Sequence, residues 1–181
     1  MKKNLYLLFL FIAVVSLFTA CVKDTDFNQT DDIVVAPTLE LDFLFFNVDS
    51  ESFSDLGVNN LVITDTTEFS FLNDDIAVDN LIRADFYFRN TNSFPVQFTT
   101  QYQFLDENND LHYEILIPVN DGTLNNPVIT EYSEIIEGDG ILSLTMAEKV
   151  VINIVASSSV DNLEGNLNLQ SKTTYYLRVE Q

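Results

Sequence analysis

Residues 80–90, NLIRADFYFRN, alternate apolar and polar side chains at a period of two, and this constrains the chain's fold more than any other feature. Ile82, Ala84, Phe86 and Phe88 fall on one side, and Arg83, Asp85, Tyr87 and Arg89 on the other. A period of two marks an extended strand with one dry and one wet face, whereas a helix repeats its faces every 3.6 residues or about that. The pattern recurs in TLELDFLFF (residues 38–46), where Leu39, Leu41, Phe43 and Phe45 share a face. It recurs again in VQFTTQYQF (96–104), where Val96, Phe98, Thr100, Tyr102 and Phe104 alternate with Gln97, Thr99, Gln101 and Gln103.

Turn chemistry separates these runs. NTNSFP (90–95) offers Asn, which tolerates left-handed backbone, and Pro95, which fixes its own φ, so residues 80–104 read as a hairpin. DENND (106–110) leads into LHYEILIPV (111–119), with Leu111, Tyr113, Ile115 and Ile117 on one face. NDGTLNNP (120–127) turns the chain toward VITEYSEIIE (128–137), and ILSLTM, KVVINIVA, NLNLQS and TTYYLRVEQ follow Gly138-Asp139-Gly140. This reading gives eight or nine strands and at most a turn of helix near residues 51–56 or 160–163. Short strands at such spacing predict an all-β antiparallel sandwich or barrel.

The stretch FYFRNTNSFPVQFTTQYQFLDENNDLHYEI (86–115) resembles the central strands of immunoglobulin-like sandwiches in secreted bacterial proteins, without the paired cysteines and tryptophan of antibody domains. The resemblance implies a β-sandwich, which is favoured; a closed lipocalin-like barrel also fits eight strands in this length.

The first 20 residues are of another kind. Lys2 and Lys3 precede an apolar run from Leu5 to Val15, and small residues Thr19 and Ala20 close it. That is the layout of a secretory signal peptide; a spanning helix needs about 20 apolar residues, and Ser16, Lys23 and Asp24 come too soon. Phe18-Thr19-Ala20-Cys21 resembles the lipobox of bacterial lipoprotein precursors, with Phe18 standing where the family usually has leucine. The resemblance implies cleavage before Cys21 and lipidation of that cysteine, and two or more acyl chains anchor a protein stably to a bilayer. Ordinary secretion with Cys21 as an unpaired thiol is the plainer alternative. Cys21 is the only cysteine, so lipidation leaves none for disulfides, thiol catalysis or metal ligation.

Val22 follows in place of the aspartate that holds many diderm lipoproteins at the inner membrane, which favours the outer membrane. Lys23-Asp24-Thr25-Asp26 resembles the acid-rich tags of surface lipoproteins of the Bacteroidota, so Lys23, Asp24 and Asp26 are candidate sorting residues within an acidic tether over 21–32. A plain hydrophilic tether would carry similar charges. The remaining residues, 33–181, are expected to form one all-β domain.

Composition then excludes classes of partner. Removing 20 residues from 181 leaves 161, with six basic against 28 acidic because both leader charges are lysines, a formal charge near −22. Such a chain repels nucleic acid and anionic headgroups. Contact with the membrane is expected through the lipid anchor alone.

The catalytic inventory is thin. The one histidine, His112, shares the outward face of its strand with Glu114, and Ser157-Ser158-Ser159 reads as a turn. Neither forms a recognisable nucleophile constellation. Asp106, Asn108 and Asp110 place oxygen ligands at alternate positions, as calcium loops do, but Leu111 stands where glycine is expected and Ile117 where the closing glutamate belongs. Calcium at Asp106, Asn108 and Asp110, or at Asp24, Asp26 and Asn28, is thus the lesser alternative to a plain turn and tether, and no other cofactor is expected. Outward tyrosines that could stack on a sugar reduce to Tyr87, Tyr176 and Tyr132. The expected function is a lipid-anchored outer-membrane module for adhesion, scaffolding or accessory work with an envelope protein partner, surface exposure being slightly favoured over the periplasmic side. The alternative is glycan or small-ligand binding, and an enzyme is disfavoured.

Overall fold

The computed structural model describes residues 34–54, 62–68, 71–72, 74–158 and 164–180. Cys21, Lys23, Asp24, Asp26, the second calcium candidate at Asp24, Asp26 and Asn28, and the 160–163 segment lie outside the described residues. The chain divides into two units, Val35–Val179 and Met1–Val34 with Glu180–Gln181; of the latter only Val34 and Glu180 are described.

The described strands are β1 (Val34–Val35), β2 (Thr38–Asp49), β3 (Val62–Glu68), β4 (Leu81–Asn92), β5 (Phe98–Leu105), β6 (Leu111–Val119), β7 (Val128–Glu137), β8 (Lys149–Ala156), β9 (Asn166–Leu177) and β10 (Val179–Glu180). Three short helices accompany them: α1 (Ser50–Ser54), α2 (Asp75–Asn80) and α3 (Asp139–Leu144). Eight strands form two four-stranded antiparallel sheets, ordered β2-β9-β4-β7 and β3-β8-β5-β6, and neither closes on itself. The architecture is a β-sandwich and not a barrel.

The order of the strands has a simple logic. β2 pairs with β9, β3 with β8, β4 with β7 and β5 with β6, so partners are nested about the β5–β6 hairpin. The chain is one long antiparallel ribbon folded over on itself and joined again by β4 with β9 and β5 with β8. That is the double Greek key of a jelly roll. Immunoglobulin sheets join their strands in a different order, so the resemblance over residues 86–115 extends to the sandwich and not to its connections.

This topology overturns the hairpin expected over 80–104, because β4 and β5 lie in different sheets and NTNSFP is an arch between them. Alternation marks a dry face without saying whether the next strand lies beside it or across the core. Fully buried Asn92 holds the arch: its Nδ2 donates to Val96 O (2.8 Å) and Asn120 O (2.9 Å), and its Oδ1 accepts from Phe94 N (2.8 Å). The fully buried Phe94 ring plugs the same end of the sandwich.

The inner faces meet in an aromatic core. Phe43 of β2 lies 5.2 Å from Phe86 and 6.2 Å from Phe104, ring centre to ring centre, so the two sheets interlock through rings. The fully buried rings, Phe86 and Phe104, each contribute about 2–3 kcal/mol of apolar transfer.

Four further sequence expectations are corrected. Ile82 is half exposed, because an irregularity between Leu81 and Arg83 shifts the register against β9 and buries Leu81 instead. ILSLTM lies largely in helix α3: Gly138 takes φ 56°, which ends β7, and Ile141 and Leu144, three residues apart, are buried while Leu142 is exposed. NLNLQS and TTYYL form the single strand β9. VITDTTE, not anticipated as a strand, is β3, and its β-branched residues are the signal that was there to read.

Candidate functional site

The strand that departs most from its pattern builds the most distinctive surface. In β2 the apolar run Phe43-Leu44-Phe45-Phe46 cannot alternate, and the pairing with β9 shifts between Asp42 and Phe45. Phe43 turns into the core, while Phe45 turns out and is 67% exposed, against the expectation that both lie on one face. The Ser171 hydroxyl fastens this bulge, accepting from Leu44 N (3.0 Å) and donating to Leu44 O (3.1 Å). Bulges of this kind re-aim side chains and are enriched beside functional sites.

Two adjoining depressions result. One, of about 440 Å³, is lined by residues 42–45 with Gln170 and Ser171. The other, of about 160 Å³, shares Asp42, Gln170 and Ser171 and adds Tyr87, Arg89 and Lys172. These residues belong to the outward positions of the β2-β9-β4-β7 sheet, except Ser171 and the bulged pair Phe43 and Leu44.

Register sets the electrostatics of this face. Arg83 lies opposite Tyr176 and Glu137, Tyr87 opposite Lys172, and Arg89 opposite Gln170 and Glu131. Each of Arg83's three guanidinium nitrogens has an acidic partner: Nε (2.6 Å) and one terminal nitrogen (2.8 Å) donate to Asp85, the other approaches Glu137 at 3.2 Å, and the group lies over the Tyr176 ring. Its pKa is raised above the ordinary arginine value, first by the hydrogen bond to Asp85. Lys172 pairs with Glu40 at 3.1 Å. Tyr87 donates to Glu131 at 2.7 Å, and that bond holds the phenol's pKa above its usual value. Arg89 differs, since its one charge partner among the described residues is Glu131 at 3.9 Å. Three of the chain's eight basic residues therefore gather on one face of a strongly acidic chain.

The residues singled out from sequence are dispersed. Tyr87 and Tyr176 face outward as expected, but Tyr132 packs against the core and donates to Glu134, which also accepts from Tyr113 at 2.8 Å. Asp106, Asn108 and Asp110 form the β5–β6 turn. Asp106 Oδ1 accepts from Asn108 N (2.9 Å) and Asp110 N (2.8 Å), and Oδ2 lies 3.4 Å from His112 Nε2. The backbone N–H of Asp110, first, and His112 hold the Asp106 pKa below its ordinary value. Asn109 takes the left-handed φ of 67° that the turn requires. Among the described residues no group of three or more His, Cys, Asp or Glu side chains is placed to hold a metal. No helix among them is long and apolar enough to cross a membrane.

Sequence reasoning placed Tyr87 and Arg89 outward but missed Asp42, Phe45, Gln170, Ser171 and Lys172 as their neighbours. The signal for the bulge was the unbroken FLFF run in an otherwise alternating strand.

No family model and no curated protein matches the chain. Similar solved structures include a protein from Parabacteroides distasonis ATCC 8503 inferred to be secreted, with 18% identity over 63% of this chain and 37% of that one, at a TM-score of 0.45. The infectious bursal disease virus Gx strain structure gives 12% identity, coverage of 81% and 33%, and a TM-score of 0.44. The enzymatically active domain of bacteriophage CBA120 tailspike protein 4 gives 12% identity, coverage of 80% and 19%, and a TM-score of 0.38. The chain spans between a fifth and two fifths of the length of these structures.

Proposed function

We propose that the protein is a lipid-anchored outer-membrane lipoprotein whose jelly-roll domain is a non-catalytic binding module, serving adhesion, scaffolding or an accessory role in an envelope complex. The observation that carries the binding role is the pair of adjoining depressions beside the bulge, one lined by exposed Phe45 and the other by Arg89, Lys172 and Tyr87, on the outer face of one sheet. Those groups suit recognising and holding a ligand, and the one histidine lies elsewhere, beside Asp106. The anchor rests on Cys21 and the lipobox-like residues before it.

Two measurements test this. Metabolic labelling with an alkyne fatty acid should mark the natural protein and not Cys21→Ala; equal labelling of both overturns the anchor. Protease shaving of intact cells should digest the natural protein but spare a variant with Lys23, Asp24 and Asp26 changed to alanine. Protection of both until the envelope is opened reduces the acidic segment to a tether and directs the search for partners to the periplasm.

A further inference from the structure

We infer that the Arg89 depression binds the carboxylate of an acidic saccharide, a uronic-acid residue within a glycan; this deepens the binding-module reading and rests on it, but does not depend on the lipid anchor. Two arginines six residues apart on one face of β4 differ in what they hold. Arg83 has its donors engaged by Asp85 and Glu137 and its plane covered by Tyr176. The Arg89 guanidinium makes no hydrogen bond to the described residues and has only Glu131 at 3.9 Å, whose nearer oxygen already accepts from Tyr87. A guanidinium carries five N–H donors in a planar fork that matches a carboxylate bidentately. At Arg89 that fork is unspent at the rim of a depression.

Charge selects among anions. Asp42 lines the same depression, and the chain carries a formal −20. Beyond about 8 Å that field is screened at physiological salt, so Arg89 and Lys172 decide locally, yet a polyanion reaching past them meets repulsion. A singly charged group on a largely neutral body fits this better than a phosphate or a sulfate cluster. The remaining groups suit a sugar ring: Gln170 and Asp42 offer an amide and a carboxylate to hydroxyls, and the exposed Phe45 offers a face to the C–H side of a pyranose. The adjoining depressions, about 160 and 440 Å³, have room for more than one ring.

The test is isothermal titration of the full chain, purified in detergent, with two singly charged uronates, an aldotetraouronic acid (one glucuronate on xylotriose) and a hyaluronan disaccharide, with the methyl ester of the first, and with an end-blocked tripeptide holding one aspartate. Saturable binding of at least one uronate is expected, abolished by esterification. Arg89→Gln should weaken it by about tenfold or more, as losing charged hydrogen bonds does. Arg89→Lys, which keeps the charge and loses the fork, should weaken it too, while Lys149→Gln on the other sheet leaves it unchanged; thermal melts verify that each variant folds. Equal binding of the ester, or preference for the peptide, overturns the ligand class and leaves a binding module standing. An Arg89→Gln variant that binds like the natural protein overturns the site. No saturable binding of either uronate overturns the inference, and absence of any crosslinked envelope partner as well would take the module reading with it.

Discussion

Gly122 packs so closely on the backbone of Asn92 that a β-carbon at residue 122 would lie 2.1 Å from the Asn92 carbonyl oxygen and 2.9 Å from Val128 N. The contact joins the β4–β5 arch to the β6–β7 crossover, and both obstructing atoms are backbone. No side-chain rotation can relieve it. Gly122→Ala is expected to cost about 3 kcal/mol, the upper range for overpacking, seen as a lower urea midpoint at unchanged m-value. A variant as stable as the natural protein would mean that the two crossovers are not held together in solution.

Asn92 itself makes three buried hydrogen bonds, two as donor and one as acceptor. Asn92→Ala should cost about 3 kcal/mol or more, since unsatisfied buried groups each cost about 1–3. Asn92→Asp should be worse despite its near-identical shape, because an oxygen would then face the Val96 and Asn120 carbonyls. Paired denaturant melts give the order; an aspartate variant more stable than the alanine one would contradict the assigned orientation of the amide.

The β2 bulge makes a contrast between near neighbours. Phe43→Ala should cost about 3 kcal/mol through lost core packing, whereas Phe45→Ala, at an exposed position, should stay within about 0.5 kcal/mol. Simple alternation along β2 would make the two losses similar. Denaturant melts on the two variants decide between the readings.

Alkaline pH supplies a further test. Burial raises the pKa of Tyr175 to about 12, and burial likewise raises that of Tyr102. A group whose folded pKa lies above its unfolded value, about 10 for tyrosine, contributes stability fully below that unfolded value and loses it as pH rises through the folded one. Stability should therefore hold to about pH 10 and fall toward pH 12. Absorbance at the tyrosinate band should rise in two stages, exposed phenols first and Tyr102 and Tyr175 with unfolding. A single stage near pH 10 would show that the buried rings are solvated.

Much of this was legible in the chain itself. Strands β4 to β7 stand almost where period-two alternation and turn residues put them, because those signals are local. The count of eight main strands came out within the expected range partly through compensation: ILSLTM became helix α3, two terminal runs merged into β9, and β3 was missed. Helix α3 escaped because a short run with Ile141, Leu142 and Leu144 satisfies either period until Gly138 takes its left-handed turn.

Which strands are neighbours was decided by tertiary structure alone. The same alternation serves a strand paired with the next in sequence, as β5 and β6 are, and one that arches across the core, as β4 and β5 do. Only packing both sheets at once separates them. The candidate site has the same origin: Phe45 and Arg89 lie 44 positions apart in sequence and come to adjoining depressions because β9 sits between β2 and β4, and because a bulge there turns Phe45 outward. Away from the irregularities at Phe45 and Ile82, local pattern decided which face of a strand is dry. The nested pairing of distant strands, a property of no single segment, determined which wet residues meet.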